Sequence, residues 1–497
     1  MALAALVCIL SLVVTSVESR ASSSDKEYLK ISIDALFLGR NPTPVTPARG
    51  SSSSSTQGLE EKEESVSSGL QIGLMHRDSA DSPYRPANAT VHGLVRNRLH
   101  RDELRLLSIS SRISLGVAGI PKSSLTNPLK NTNPFLQQDF ETPLRSGLSD
   151  GSGEYFVSLG VGTPPRTVNM VADTGSDVLW LQCLPCQSCY GQTDPLFNPS
   201  FSSTFQSITC GSSLCQQLLI RGCRRNQCLY QVSYGDGSFT VGEFSTETLS
   251  FGSNAVNSVA IGCGHNNQGL FTGAAGLLGL GKGLLSFPSQ VGQLYGSVFS
   301  YCLPTRESTG SVPLIFGNQA VASNAQFTTL LTNPKLDTFY YVEMVGIKVG
   351  GTSVSIPAGS LSLDSSTGNG GVILDSGTAV TRLVTSAYNP MRDAFRAGMP
   401  SDAKMTSGFS LFDTCYDLSG RSSIMLPAVS FVFNGGATMA LPAQNIMVPV
   451  DNSGTYCLAF APNSENFSII GNIQQQSFRM SFDSTGNRVG IGANQCN

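Results

Sequence analysis

The sequence predicts an all-β protein built as two similar lobes, and three observations carry that expectation. Charge is sparse, with 31 Lys and Arg against 34 Asp and Glu in 497 residues, and Gly alone contributes 51. From Glu154 onward, short apolar runs of strand length are separated by Gly and Pro turn signals. A two-part pattern then occurs twice in the same order. Asp173-Thr174-Gly175-Ser176 is followed by Leu277-Leu278-Gly279, and Asp375-Ser376-Gly377-Thr378 by Ile469-Ile470-Gly471. A single Asp-Thr-Gly is an ordinary turn. An ordered repeat of two parts, with its aspartates 202 residues apart, implies two lobes related by a pseudo-twofold axis.

Taken in chain order, Ala2 to Val14 is an uncharged apolar run too short to span a bilayer. Val17-Glu18-Ser19 places small residues at cleavage offsets, so residues 1–19 read as a signal peptide. No later run reaches membrane length, and the tail GIGANQCN is not a lipid-anchor signal. The expectation is an exported, monomeric protein with no membrane span. Removing Cys8 with the signal leaves twelve of 13 cysteines, an even number that reads as disulfides in an oxidising compartment. Cys183-x-x-Cys186-x-x-Cys189 lacks a His or second close cysteine pair at zinc-site spacing, so bridges are expected there and no metal. Cys210, Cys215, Cys223 and Cys228 read as two nested short loops whose pairing the spacing leaves open.

Residues 20–70 are poor in apolar side chains and contain GSSSSST at 50–56 and EEKEE at 60–64, a disordered or linker-like composition. Val91, Leu94, Val95 and Leu99 then recur at helical spacing, interleaved with Arg96, Arg98, Arg101 and Arg105. Residues 20–145 hold 16 basic against 13 acidic side chains, while residues 146–497 hold 15 against 20. A basic amphipathic helix can bind a membrane surface or stand solvated with no partner; upstream of an acidic β body it is expected to dock on that body. Nothing in the chain is basic enough to suggest a nucleic-acid partner.

Two lobes that each present a carboxylate on a strand-end loop can bring the carboxylates together at their junction. Like charges that close cannot both ionise, so the pair shares one proton and titrates as a unit. Such a pair can hold a water, take its proton and polarise a carbonyl, with no cofactor required. Gly175 and Gly377 permit tight turns; Ser176 and Thr378 can donate to the carboxylates, and Thr174 and Ser376 can bond across the junction. Gly147-Leu148-Ser149-Asp150-Gly151 matches a serine-hydrolase pattern but lacks the strand before it and the helix after it. A glycosidase pair would not need a duplicated loop with hydroxyl partners.

These motifs resemble those of the pepsin-like aspartic proteases from about Glu154 to Cys496. The resemblance implies a bilobal pepsin-like acid protease fold, Asp173 and Asp375 as catalytic pair, and polypeptide substrates. Gln231 to Ser238 resembles the flap hairpin, which implies substrate contacts from Tyr234, Gly235 and Asp236, with Trp180 supporting the tyrosine. The run Phe478 to Asp483, ending at Val489-Gly490-Ile491-Gly492, resembles the family's closing strands. The cysteine-rich insert and SYGDGSFTVGEF are similar to the plant nepenthesin-type subgroup, most closely the guard-cell type. That similarity implies bridges Cys183–Cys186, Cys189–Cys263, Cys210–Cys228, Cys215–Cys223, Cys302–Cys496 and Cys415–Cys457. It also implies a zymogen: prosegment 20–145, N-terminal lobe 146–325 and C-terminal lobe 326–497, with a basic prosegment residue pairing with the dyad. The expected activity is acid endoproteolysis by a secreted enzyme, in the apoplast or the vacuole. The competing expectation is an inactive pepsin-like protein that binds or inhibits wall-degrading enzymes. Sequons at Asn88 and Asn466 are glycosylation candidates, and His265 reads as a loop residue.

Overall fold

The computed structural model describes residues 26–38, 69–119, 153–234, 238–269, 271 and 273–496. The expected signal peptide, residues 1–19, lies outside them. Seven elements near the start of the chain position the first half of the site and the segment that covers it. They are β1 (Tyr28–Ser32), α1 (Ile33–Leu38), β2 (Leu70–His76), α2 (Val91–Val117), β3 (Tyr155–Val161), β4 (Arg166–Asp173) and β5 (Trp180–Gln182). Among the described residues the elements that follow are mostly strands with a few short helices, as the composition predicts.

A sheet runs beneath both halves in the order β3, β2, Val312–Phe316, Val298–Cys302, Phe478–Asp483 and Arg488–Ala493. β2 enters it because Leu70, Ile72, Leu74 and His76 alternate inward while Gln71 and Gly73 face out. In the register, Leu74 pairs with Val157 on one side and with Val312 on the other.

Above this sheet the repeated motif acquires a geometric meaning. β4 ends at Asp173 and lies parallel to Gly276–Gly279, with Asp173 beside Gly279. Val372–Leu374 lies parallel to Ser468–Ile470 in the same way, with Leu374 beside Ile470. The Leu-Leu-Gly and Ile-Ile-Gly runs are thus the strands that flank each aspartate strand. Their glycines permit close approach of backbone: a Cβ on Gly279 would sit 2.3 Å from the Asp177 carbonyl oxygen, and one on Gly471 would sit 2.7 Å from the Val380 carbonyl carbon.

Two departures from expectation are informative. Residues 28–38 form a strand and a helix, although residues 20–70 read as linker. The apolar content of Tyr28, Leu29, Ile31, Ile33, Leu36 and Phe37 is diluted by the polar stretch after it. The cysteine pairing also differs, with Cys183–Cys263, Cys186–Cys189, Cys210–Cys223 and Cys215–Cys228 in place of the four N-terminal bridges expected. The two 13-residue loops of the second group interleave rather than nest. Burial is the reason: fully buried Cys183 meets buried Cys263, and buried Cys215 meets buried Cys228. Their more accessible neighbours Cys186 with Cys189, and Cys210 with Cys223, are left to pair outside. Cys302–Cys496 and Cys415–Cys457 pair as expected.

Among the described residues no helix is long and apolar enough to cross a membrane. α2, 27 residues long, begins with Thr90 accepting from the Gly93 N–H and lies on the body. It buries Leu94, Val95, Leu99, Ile109 and Ile113 but also Arg101, Asp102 and Arg105. Charged residues on a buried helix face need partners.

Candidate active site

The two strand ends deliver their carboxylates to one place, with Asp173 2% and Asp375 0% exposed. The Gly175 N–H donates to Asp173 Oδ1 at 2.9 Å and the Ser176 hydroxyl to Oδ2 at 2.8 Å. The Thr378 hydroxyl donates to Asp375 Oδ2 at 2.6 Å. Across the junction the Ser376 N–H donates to Thr174 Oγ1 at 2.9 Å, and the Thr174 hydroxyl donates to Asp375 Oδ1 at 3.3 Å. All eight residues of the two sequence motifs therefore lie in one cluster.

Arg105 of α2 occupies the space between the carboxylates. Its Nη2 donates to Asp173 Oδ1 at 2.6 Å and to Asp375 Oδ1 at 2.9 Å. Its Nε donates to Asp375 Oδ2 at 3.0 Å and its Nη1 to Asp173 Oδ2 at 3.2 Å. The planar fork of a guanidinium suits two carboxylates better than an ammonium would. Gly175 and Gly377 let it in, since a Cβ on either would meet the guanidinium at 2.1 and 2.9 Å respectively. Burial alone would raise the Asp375 carboxyl. The charge and hydrogen bonds of Arg105, with Thr378 and the Gly377 N–H, outweigh burial and hold it below the ordinary 3.8.

The rest of α2 grips both sides of this cluster. Asp102 accepts from the N–H groups of Ala379 (2.7 Å) and Val380 (2.9 Å) and from Arg382 Nε (3.0 Å). Arg101 donates to Glu154 at 2.5 Å and to Asp78 at 3.2 Å. Arg98 donates to Asn472 Oδ1 at 2.5 Å. Arg112 donates to the Gly175 carbonyl and stacks 4.5 Å over the Phe339 ring. The signal for these contacts is in the sequence: Arg98, Arg101, Arg105 and Arg112 fall on the same helical stripe as the buried apolar residues. Behind Asp375, Asn472 and Gln475 donate to the backbone carbonyls of Ser376 (2.9 Å) and Asp375 (3.2 Å). Sequence reasoning missed these amides, although Asn472-Ile473-Gln474-Gln475 comes directly after the Ile-Ile-Gly motif.

Gln227–Ser233 and Phe239–Phe251 form the hairpin expected of the flap, with Ser233 paired to Phe239. Tyr234 hangs from it and accepts a hydrogen bond from Trp180 Nε1 at 2.9 Å. Gly235 and Asp236 lie outside the described residues. Beside this hairpin, a cavity lined by Val178, Leu218, Ile220, Tyr234, Leu285 and Arg112 opens near Ser176. Glu243, Cys263 and His265 cluster nearby, but Cys263 is bridged to Cys183 and offers no thiolate to a metal. Asn88 and Asn466 are both exposed, while the Ser468 of the second sequon is buried and accepts from the Val384 N–H at 3.0 Å.

The sequence matches the family described as xylanase inhibitor N-terminal over residues 155–318, and that described as xylanase inhibitor C-terminal over 339–493. It is 52% identical to aspartyl protease family protein 2 of Arabidopsis thaliana, covering 86% of both chains. It is 46% identical to the Arabidopsis thaliana protein aspartic protease in guard cell 2, over 86% of this chain and 88% of that one. Identity to aspartic proteinase nepenthesin-1 of Nepenthes gracilis is 36%, covering 96% of this chain and 99% of that one. Among solved structures, edgp aligns with a TM-score of 0.59 at 23% identity, over 69% of this chain and 93% of that chain. Basic 7S globulin from soybean aligns with a TM-score of 0.55 at 22% identity, over 69% and 94%. At those identities the likeness is one of fold alone.

Proposed function

This chain belongs to the pepsin-like aspartic proteases, and on that premise we propose that it is a secreted zymogen whose catalytic pair is Asp173 and Asp375. It is an aspartic-type endopeptidase of the plant subgroup that includes the nepenthesins and the guard-cell type. The observation that carries the finer reading is the single guanidinium bridging two hydroxyl-flanked carboxylates at 2.6 to 3.2 Å. A side chain held there excludes a peptide bond and a water from the same space. In this reading residues 1–19 direct export, residues 20–145 form the prosegment, and lobes 146–325 and 326–497 form the enzyme.

With Arg105 withdrawn, one positive charge leaves a pair of buried carboxylates, which then shares a proton. The ionised member takes a proton from a water held between them. That water attacks the scissile carbonyl, which the protonated member polarises, and a carboxyl of the pair returns a proton to the leaving amine. Ser176 and Thr378 keep each carboxylate oriented, and Tyr234, fixed by Trp180, closes over the substrate. The inactive, enzyme-binding reading draws on the description of the two matching family models as xylanase inhibitor; the complete dyad with all its hydroxyl partners favours catalysis.

Incubation of the purified chain at pH 3–5 with denatured protein tests this. Expected are loss of the segment that carries α2 and substrate cleavage, both blocked by pepstatin; a fully processed chain that cleaves nothing overturns the proposal.

A further inference from the structure

We propose that residues 26–38 are a lasting part of the C-terminal half, held there non-covalently, rather than part of the removable cover that α2 provides. The observation is one of pairing. β1 forms an antiparallel ladder with Ser423–Pro427, from Tyr28 opposite Pro427 to Ser32 opposite Ser423. Among the described residues, Ser423–Pro427 pairs with no other strand. Without β1 that segment of the body keeps no ladder partner at all, and an unpaired strand edge is an unfavourable way to leave a folded lobe.

The ladder is extended at both ends by backbone bonds. The Glu27 N–H donates to the Gly350 carbonyl at 3.2 Å, and the Ala428 N–H donates to the Glu27 carbonyl at 3.0 Å. The Ile33 N–H donates to the Ser422 carbonyl at 3.0 Å, and the Tyr456 hydroxyl donates to the Ile33 carbonyl at 3.4 Å. Side chains complete the attachment. Ile31 and Leu36, 4% and 1% exposed, belong to the main apolar core, and Leu29, Ile33, Ala35 and Phe37 pack against it.

Two further facts separate this clip from α2. Its grip carries no charge: among the described residues none of Lys26, Glu27, Lys30 and Asp34 makes an ion pair with the body. Acid that neutralises carboxylates therefore has little in the clip to act on, whereas α2 is held by buried ion pairs. The clip also stands apart from α2, with a pocket between Leu36 and Phe37 on one side and Val95 and Leu99 on the other. The partner of the Ser423–Pro427 edge is thus an extended strand followed by a six-residue helix, supplied by the chain itself.

The inference rests on the zymogen reading only for the departure of α2, so the test has two stages. The Ser tract at 50–56 is replaced in the full chain by a recognition site for a sequence-specific protease, and the chain is cut at pH 7. The fragment carrying residues 26–38 is expected to co-elute with the body in gel filtration at one copy per molecule by intact mass. Ile31→Asp with Leu36→Asp is expected to free it. A wild-type fragment that elutes alone overturns the proposal. The cut protein is then brought to pH 3 and re-examined. Loss of the α2 segment with retention of the 26–38 fragment supports the inference, and loss of both overturns it. Retention of α2 at pH 3 counts against the zymogen reading instead, leaving the neutral result to decide for the clip.

Discussion

The two aspartate loops present the same carboxylate and hydroxyl groups but are supported differently. Around Asp173 the backing is backbone: the Leu280 N–H donates to the Asp173 carbonyl and the Gly281 N–H to the Ser176 carbonyl, each at 2.8 Å. Around Asp375 the Asn472 N–H does the equivalent for the Thr378 carbonyl at 2.7 Å, and the side chains of Asn472 and Gln475 add two more bonds. The cover is unequal too. α2 offers the first loop an arginine, Arg112, and the second an acid, Asp102. The chemistry demands symmetry only at the carboxylates and their immediate donors; beyond them each half solves the problem of buried polar backbone with whatever side chains its fold supplies.

The sharpest break of this comparison is at the carboxylates. Asp173→Asn and Asp375→Asn are each expected to lower kcat by about 10²–10⁴-fold or more, because either change removes the shared proton's partner. The check is hydrolysis of a chromogenic peptide across pH 3–6 by separately purified, correctly folded variants. If one variant keeps near-native turnover, the loops are not equivalent even in their catalytic atoms.

Next is Arg105, which is hydrogen-bonded to both carboxylates. Arg105→Ala leaves two buried carboxylates uncompensated, a class of change costing about 3–5 kcal/mol, so the unprocessed chain should melt lower and lose its N-terminal segment at higher pH. The pH dependence in the native chain has two limbs of the same sign. Asp375 is depressed below 3.8 while Arg105 is in place, so its contribution to docking is complete above that range and fades as pH falls through it. His76, at the end of β2, is lowered well below 6.5 by burial and then by Arg98, Arg101, Arg306 and Arg77. Asp78, two residues after His76, and Glu154, beside β3, lie in the same charged cluster, both bonded to Arg101. Because the docked ring refuses a proton that the released ring accepts, docking weakens as pH drops below 6.5. Release of the segment, tracked on a gel from pH 7 to pH 3, should therefore begin near the upper limit and finish below the lower one. Arg105→Ala should remove the lower limb and keep the upper; equal retention at pH 3 and pH 7 in the native chain would refute both.

The mildest probe is the pair of hydroxyls. Ser176→Ala and Thr378→Ala each delete a hydrogen bond to a carboxylate, worth about 1.5–3 kcal/mol. The acid limb of the kcat/KM profile should rise by about one to two pH units. The shorter Thr378 bond, 2.6 Å against 2.8 Å, should give the larger rise. Profiles superimposable on the native enzyme would show that these donors orient the loops without tuning the pair.

Much of the site was legible because its parts are contiguous in the chain. Asp173 to Ser176 and Asp375 to Thr378 carry carboxylate, turn glycine and donor within four residues each, and a repeat of that kind survives any uncertainty about the fold. Trp180 and Tyr234 were legible only through resemblance; nothing in an isolated Trp announces a bond to a residue 54 positions away. The clip at 28–38 was hidden because its few apolar residues precede a long polar tract, and composition averages over both. Arg105 sat in view among four arginines, but the residue that reaches the carboxylates is chosen by where the helix lands.

By itself, then, the sequence determined what is local: an all-β body, a duplicated aspartate motif with its flanking aliphatic-Gly strand, an oxidised set of twelve cysteines and a basic helix ahead of an acidic body. The tertiary structure decided everything that depends on which surfaces become inside. It chose among the possible cysteine partners by depth of burial, selected Arg105 as the ion between the carboxylates, and gave Ser423–Pro427 its partner from the far end of the chain. The physical reason is common to all three. Spacing along the chain sets what a residue is able to do, but a buried charge, thiol or strand edge is satisfied by whichever group packing brings within about 3–6 Å.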